Sequence, residues 1–359
     1  MLQRYGWSDA LQRQFSSYAT LGLEPARVLV QQRGRYDIVT AGGERSATLA
    51  GKFAHDAADG GYPVTSDWVG VSAPTGEGDA IIRAVLPRTT TFTRREAGPG
   101  APRGQVVAAN VDVALLVASL NADLSLRRIE RYLASTWESG AQPVVVLTKA
   151  DMCDVVAERV AEVEAIAFGV PVHAISSLTG QGLEAVRLHL QPGQTAVLLG
   201  SSGVGKSTLV NALAGRQIMT VREIRDDDTG KHTTTHRELI LLPDGALILD
   251  TPGMRELGLW DASAGVSTAF ADLEALFAQC RFDDCSHRSE PGCAVRAALD
   301  DGTLEPSRWE SWRKFQKELR FQHNKDDWQS RMETRRERVQ KHKDGRARMK
   351  FKMKGGYDD

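Results

Sequence analysis

Thr195-Ala196-Val197-Leu198-Leu199-Gly200-Ser201-Ser202-Gly203-Val204-Gly205-Lys206-Ser207-Thr208 reads as an apolar strand running into a glycine-rich loop and then into a helix that carries Leu209, Leu213 and Ala214. The Gly-x-x-x-x-Gly-Lys-Ser spacing is that of a phosphate loop. Its glycines let backbone N–H groups converge on phosphate oxygens, and the following helix N-terminus faces them. Lys206 is expected to reach the β- and γ-phosphates, Ser207 to bind Mg²⁺, and Thr208 to lie with the loop against the nucleotide.

Phosphate loops serve many nucleotide enzymes, so the base needs its own signal. Thr148-Lys149-Ala150-Asp151 ends the apolar run Pro143 to Leu147. An Asp carboxylate there accepts two N–H donors from the Watson–Crick edge of guanine, a pair adenine does not offer, and the Lys149 stem lies along the ring face. Strand ends are where open α/β sheets bind ligands. Ser176 and Ser177, beyond the next apolar run Pro171 to Ile175, suit a loop that holds the base through its backbone. The base motif precedes the phosphate loop by about fifty residues, the reverse of the small-GTPase order. A circular permutation produces this, because domain termini tend to lie close together at the surface.

Two further segments suit the γ-phosphate. Asp250-Thr251-Pro252-Gly253 ends a strand, so Asp250 is expected to hold the Mg²⁺ shell through water and the Gly253 N–H to meet the phosphate. Upstream, Gly230-Lys231-His232-Thr233-Thr234-Thr235-His236 supplies hydroxyls, among which Thr234 is favoured for Mg²⁺. The alternative of an exposed β edge for this Thr run stays open. Position 254 is Met, where Ras-like GTPases carry a water-orienting Gln, and a thioether cannot do that. His232 or His236 is the nearest substitute, with contact to phosphate or a partner RNA as the competing role. Slow intrinsic turnover follows.

N-terminal to all this, Arg27 to Val30, Tyr36 to Val39, Ala47 to Ala50, Trp68 to Ser72 and Ala80 to Leu86 read as short strands between glycine turns. Five such strands fit a small closed barrel, and an oligonucleotide-binding (OB) barrel is one option. Pro87 to Gly104, with Arg88, Arg94, Arg95 and Arg103, reads as a flexible basic linker. From Val106, apolar runs alternate with amphipathic stretches in the manner of a doubly wound α/β domain, and Arg237 to Leu242 with Ala246 to Leu249 form a hairpin. Pro306 opens a helix whose Trp309, Trp312, Phe315 and Leu319 suit packing, with stacking on nucleic acid as the lesser alternative.

Cys280-x4-Cys285-x-His287-x5-Cys293 offers three thiolates and an imidazole. That set favours tetrahedral Zn²⁺ with no open position, hence a structural site, and unbound thiols are the alternative. Cys153 stands apart as a small packed residue. The chain has 359 residues, 42% of them apolar and 25% charged, as expected of a folded protein of several domains. Its formal charge of -1 conceals eleven Lys or Arg against three acids (Glu333, Glu337, Asp344) between Arg331 and Lys354. A basic tail on an acidic body suits a polyanionic partner, or else a solvated end. No apolar run approaches membrane-spanning length and no signal peptide opens the chain, so a cytoplasmic location, no membrane partner and a monomeric state are expected.

These residues together resemble the circularly permuted ribosome-small-subunit-dependent GTPases of the RsgA or YjeQ type. The likeness rests on Gln105-Val106-Val107-Ala108-Ala109-Asn110-Val111-Asp112, the permuted motifs, Lys231 to Thr235, Asp250 to Glu256 and the Cys/His set. It implies an OB-like barrel with linker over 1–104, a circularly permuted GTPase domain over 105–262, a zinc-binding helical domain over 263–330 and a basic tail over 331–359. It further implies GTP hydrolysis stimulated by the small ribosomal subunit, rRNA contact, a role late in subunit maturation, and water positioning by His232. A GTP-dependent RNA-binding switch with negligible turnover is the alternative. Departures are Thr148 for the usual Asn, the acidic run Asp226-Asp227-Asp228 and a longer basic linker.

Overall fold

A computed structural model of the chain describes residues 1–32, 34–51, 53, 61–72, 78–95, 104–121, 124–219, 237–250 and 263–321. Five N-terminal strands, β1 (Glu24–Gln31), β2 (Tyr36–Thr40), β3 (Gly43–Leu49), β4 (Trp68–Ser72) and β5 (Ala80–Val85), pair in the order β1-β2-β3-β5-β4 and close through β1–β4. The β3–β5 pairing is parallel and the other four are antiparallel. Closure removes the edges that five short strands would otherwise leave unpaired. Ala26, Val28, Ile38, Ala47, Val69, Val71 and Ile82 point inward as the alternation of their strands requires. The expected OB-like barrel is therefore present.

The segment expected to be a flexible linker is partly a hairpin. Thr91–Arg95 forms β6 and pairs antiparallel with β7 (Gly104–Ala109). Phe92, almost wholly buried, anchors it, and the density of arginines masks this alternation in the sequence. Arg88 is also fixed: its guanidinium donates to both carboxylate oxygens of the buried Asp67, at 2.9 Å and 2.7 Å. Residues 96–103 lie outside the described residues.

The central sheet runs β10-β9-β8-β11-β13-β12, with β8 (Val113–Ser119), β9 (Gln142–Thr148), β10 (Val172–Ala174), β11 (Thr195–Leu199), β12 (Arg237–Leu241) and β13 (Leu247–Asp250). All neighbours are parallel except β12–β13, the expected hairpin. Parallel strands buried on both faces explain the continuous apolar runs. Beyond this, β12 pairs with barrel strand β1 through Val30 with Glu238 and Gln31 with Arg237, so barrel and central sheet form one hydrogen-bonded surface.

A buried arginine reinforces that seam. Arg27 donates to Thr195 Oγ1 at 2.6 Å, to Ser66 Oγ at 2.8 Å and to the Tyr5 carbonyl, and its guanidinium lies 5.0 Å from the Trp68 ring centroid. Burial pushes the guanidinium down to about 10, against the pull of Asp112 and Asp67, so it stays charged at neutral pH. Asp112 in turn accepts the Thr195 N–H at 2.7 Å, and Asn110 reaches Thr89, Ser66 and Asp67.

A second arginine ties on the C-terminal helices. Arg308, in the helix over 306–321, bonds Glu130 at 2.8 Å, Asp272 at 2.8 Å and the Ala269 carbonyl at 2.7 Å, 4.1 Å from the Phe270 ring centroid. Glu130 belongs to the helix Leu126–Ser139 that covers the central sheet, and its other oxygen accepts from Ser311. Trp309 and Trp312 stack at 5.0 Å between centroids and meet Phe277, which is the packing role expected of them. Among the described residues no helix is long and apolar enough to cross a membrane.

Truncating one partner of a buried pair leaves the other charge uncompensated. Arg308→Met is therefore expected to destabilise the fold by about 3–5 kcal/mol in urea unfolding. Adding Glu130→Gln should recover part of the loss, and an unchanged midpoint in the single variant contradicts the tie.

Candidate functional site

The phosphate loop turns from β11 into the helix Lys206–Ala214. A Cβ on Gly200 would collide with the Val117 carbonyl oxygen of β8, so the chain leaves the strand there only without a side chain. Gly205, with φ of 94°, caps the helix in a left-handed conformation. Ser201, Gly205, Lys206, Ser207 and Thr208 are half-buried, Ser202 and Gly203 exposed, and Val204 buried beneath them. Lys206 Nζ donates to the Gly200 carbonyl at 2.7 Å and the Ser201 carbonyl at 2.5 Å, which spans the loop with its charge.

The base motif stands beside this loop. Thr148 ends β9, and its hydroxyl lies 2.5 Å from the Val204 carbonyl and 3.2 Å from the Ala118 carbonyl. With one proton, the hydroxyl favours the shorter contact. Thr148 thus clamps the phosphate loop to the strand that carries the base motif. Loss of the usual amide at this position leaves an anchor in place.

Lys149 takes a left-handed conformation (φ 62°) and leads into the single turn Ala150–Met152, which exposes Asp151. The turn is held by the Ala150 N–H on the Ile175 carbonyl at 3.0 Å, while the Ile175 N–H bonds Leu147 at 2.8 Å. Ser176 therefore follows directly on the base motif's own support. Ser176 Oγ accepts the Thr179 N–H at 3.2 Å, so this hydroxyl shapes its loop; the neighbouring Ser177 Oγ is buried without a hydrogen-bond partner. Four strand ends, β8, β9, β10 and β11, bring the two motifs and the serine loop to one edge of the sheet.

Asp250 closes β13 and pairs with Glu238, which on its other side pairs with Val30 of the barrel. Thr65 Oγ1 also donates to the Arg237 carbonyl at 3.2 Å. The candidates His232, Thr233, Thr234, Thr235, His236, Gly253 and Met254, and the run Asp226 to Asp228, lie outside the described residues. So does the basic tail. Sequence reasoning missed Arg27, Thr65 and Arg308. Asn110 and Asp112 stood in a motif without a role, and the structure places both in the network around Arg27.

The second centre joins Cys280, Cys285, His287 and Cys293, whose ligand atoms all lie within 4.8 Å of one another. His287 Nδ1 is 3.5 Å from both Cys280 Sγ and Cys293 Sγ. A tetrahedron with metal–sulfur and metal–nitrogen bonds of about 2.3 and 2.0 Å has a sulfur–nitrogen edge close to that length. The set could hold one metal ion. Phe277 stacks on the imidazole at 4.5 Å and Trp309 meets it edge-on at 5.7 Å. Burial holds His287 below the usual histidine range despite Glu290, which favours the neutral imidazole a metal needs. Burial pushes the Cys285 thiol up to about 11. At Cys280 burial acts the same way, but hydrogen bonds from the N–H groups of Ala294 and Val295, together with those to Cys285 and Cys293, outweigh it and bring the thiol down. Cys153, half-buried, packs against the main core.

Comparison with known proteins agrees with this geometry. The RsgA GTPase family model matches residues 85–260. The small ribosomal subunit biogenesis GTPase RsgA of Streptomyces coelicolor is 46% identical over 358 residues, covering 99% of this chain and 96% of the relative. The protein of the same name from Opitutus terrae is 47% identical over 332 residues, covering 89% and 90%. Among solved structures, YjeQ from Thermotoga maritima superposes with a TM-score of 0.63 at 28% identity, over 83% of this chain and 98% of that one. YloQ, described as a circularly permuted GTPase, shares the fold with a TM-score of 0.61 at 23% identity, over 83% of this chain and 95% of its own. With relatives this similar along nearly the whole of both chains, the chain belongs to the RsgA GTPase family.

Proposed function

We propose that this chain binds the small ribosomal subunit and its rRNA and hydrolyses GTP to GDP and phosphate during late subunit maturation. The observation that carries this reading is the Thr148–Val204 bond, which joins a guanine motif and a phosphate loop into one site in permuted order. The names of its relatives, small ribosomal subunit biogenesis GTPases, supply the partner.

In this reading Asp151 accepts the guanine N–H pair, Lys149 covers the ring, and Ser176 and Ser177 hold the base through their backbone. The N–H groups of Gly200 to Thr208 receive the phosphates, and Lys206 exchanges its two carbonyl partners for β- and γ-phosphate oxygens. Ser207, Thr234 and Asp250, the last through water, hold Mg²⁺, whose charge offsets that developing on the phosphates. Gly253 meets the γ-phosphate and His232 positions the attacking water. The Cys280, Cys285, His287 and Cys293 set holds one structural Zn²⁺, because four protein ligands leave no open position. Barrel, zinc module and basic tail face rRNA, and the protein acts as a cytoplasmic monomer.

The seam gives the switch something to move. Asp250, Glu238 and Val30 form one row of backbone pairs, so a change at the γ-phosphate sensor is passed to the barrel through a single intervening residue.

Purified chain is expected to release phosphate slowly from GTP and not from ATP, and small subunits should raise that rate by orders of magnitude. Absence of stimulation contradicts the enzymatic role and favours an RNA-binding switch with negligible turnover. Thr148→Val removes one hydroxyl bond worth about 1 kcal/mol, so a fluorescent GTP analogue should bind about fivefold more weakly. Unchanged affinity removes the clamp from the reading. Native mass spectrometry should find one zinc per chain, lost with helical signal on chelation; a metal-free chain with an intact fold rules out a structural site.

A further inference from the structure

The metal-site loop between Cys285 and Cys293 contains a carboxylate that touches no ligand and yet holds the loop from both sides of His287. Glu290 Oε1 accepts the Ser286 N–H at 3.1 Å and the Ser286 hydroxyl. Glu290 Oε2 accepts the Arg288 N–H at 2.9 Å and the Ser289 N–H at 3.0 Å. Two oxygens with four donors match the acceptor capacity of an ionised carboxylate, and such charge-assisted bonds are the stronger kind. The four donors belong to the residue before His287 and the two after it.

His287 has φ of 58°, a left-handed conformation that is uncommon for a side-chain-bearing residue, although His adopts it more readily than most. In that conformation the imidazole lies on Phe277 with Nδ1 between the Cys280 and Cys293 sulfurs. Relaxation to negative φ redirects the Cα–Cβ bond and takes Nδ1 away from both thiols. Phe277 and Trp309 restrict the ring but not the backbone beneath it.

We infer that Glu290 is a positioning residue for metal binding, which locks the backbone of His287 so that the fourth ligand is preformed. The inference rests on the zinc reading above. Partners that orient a metal ligand typically set affinity by 10- to 100-fold, roughly the effect expected here. Glu290→Gln keeps the shape, but its amide NH₂ faces two N–H donors or the Ser286 pair, so it fails almost as fully as Glu290→Ala. Glu290→Asp keeps the charge on a shorter arm and falls between.

The test is zinc release from the full-length, zinc-loaded chain into excess chromophoric chelator. Glu290→Ala and Glu290→Gln should release zinc roughly 10- to 100-fold faster than the natural chain. In a His287→Ala background the Glu290→Ala change should add less than about threefold, because its effect runs through His287. Cobalt(II) in place of zinc provides a second readout: the visible bands should shift in Glu290→Ala as the nitrogen ligand is lost. Release within about twofold of the natural chain, or an undiminished effect without His287, overturns the inference. Should Glu290→Ala not fold, Glu290→Asp decides the matter, with intermediate release supporting the role and natural release refuting it. A natural chain that takes up no zinc overturns the metal reading itself, and the two failures are thereby told apart.

Discussion

Val30, Glu238 and Asp250 stand side by side on three strands, and that row, with Gln31 paired to Arg237 beside it, makes the barrel an extension of the central sheet. Backbone ladders are stiff and obligatory once buried, because each unpaired N–H or C=O shielded from water is costly. The barrel is therefore not hung from a loop. Its strand β1 is held by β12, and β12 by the strand that ends at Asp250. Arg27 fastens the same seam from beneath, reaching Thr195 at the start of the strand that becomes the phosphate loop. Its charge stays compensated by Asp67 and Asp112. The strand that runs into the glycine-rich loop and the strand that ends at Asp250 thus both have a physical connection to the barrel.

The other flank is built differently. The C-terminal helical module meets the central sheet's covering helix through side chains: Arg308 on Glu130 and Asp272, with Arg127 and Arg131 on Glu318 nearer the surface. Gly265 also donates to Glu138 at 2.8 Å. Side-chain contacts between helices admit discrete repacking in a way that a continuous ladder does not. The molecule pairs a module fused to the sheet with one docked against its covering helix.

The local rules of this fold are visible in the sequence. Gly200 to Ser207 are constrained by each other's spacing, as are the four residues of the metal set, so both could be read without knowing any distant partner. The barrel strands and the parallel strands followed from alternation and from continuous apolar runs. What escaped was pairing between distant positions. Nothing near Val30 indicates that it meets Glu238, and Arg27 reads as a strand residue until Thr195 and Asn110 are brought to it. Thr91 to Arg95 was hidden for another reason: four arginines around an alternating Thr-Phe-Thr core outweighed the one buried Phe92 that makes it a strand. At Thr148 the sequence showed a missing amide, and the folded chain shows a hydroxyl already bonded to Val204.

If the seam transmits the state of the nucleotide, backbone protection on its two sides must change together. Amide hydrogen exchange in the presence of a non-hydrolysable GTP analogue and of GDP measures this directly at residues 28–31 and 237–241. Slower exchange on both sides in the triphosphate state is the predicted result. Identical exchange in the two nucleotide states, with both nucleotides bound, would contradict it and leave the barrel uncoupled from the nucleotide.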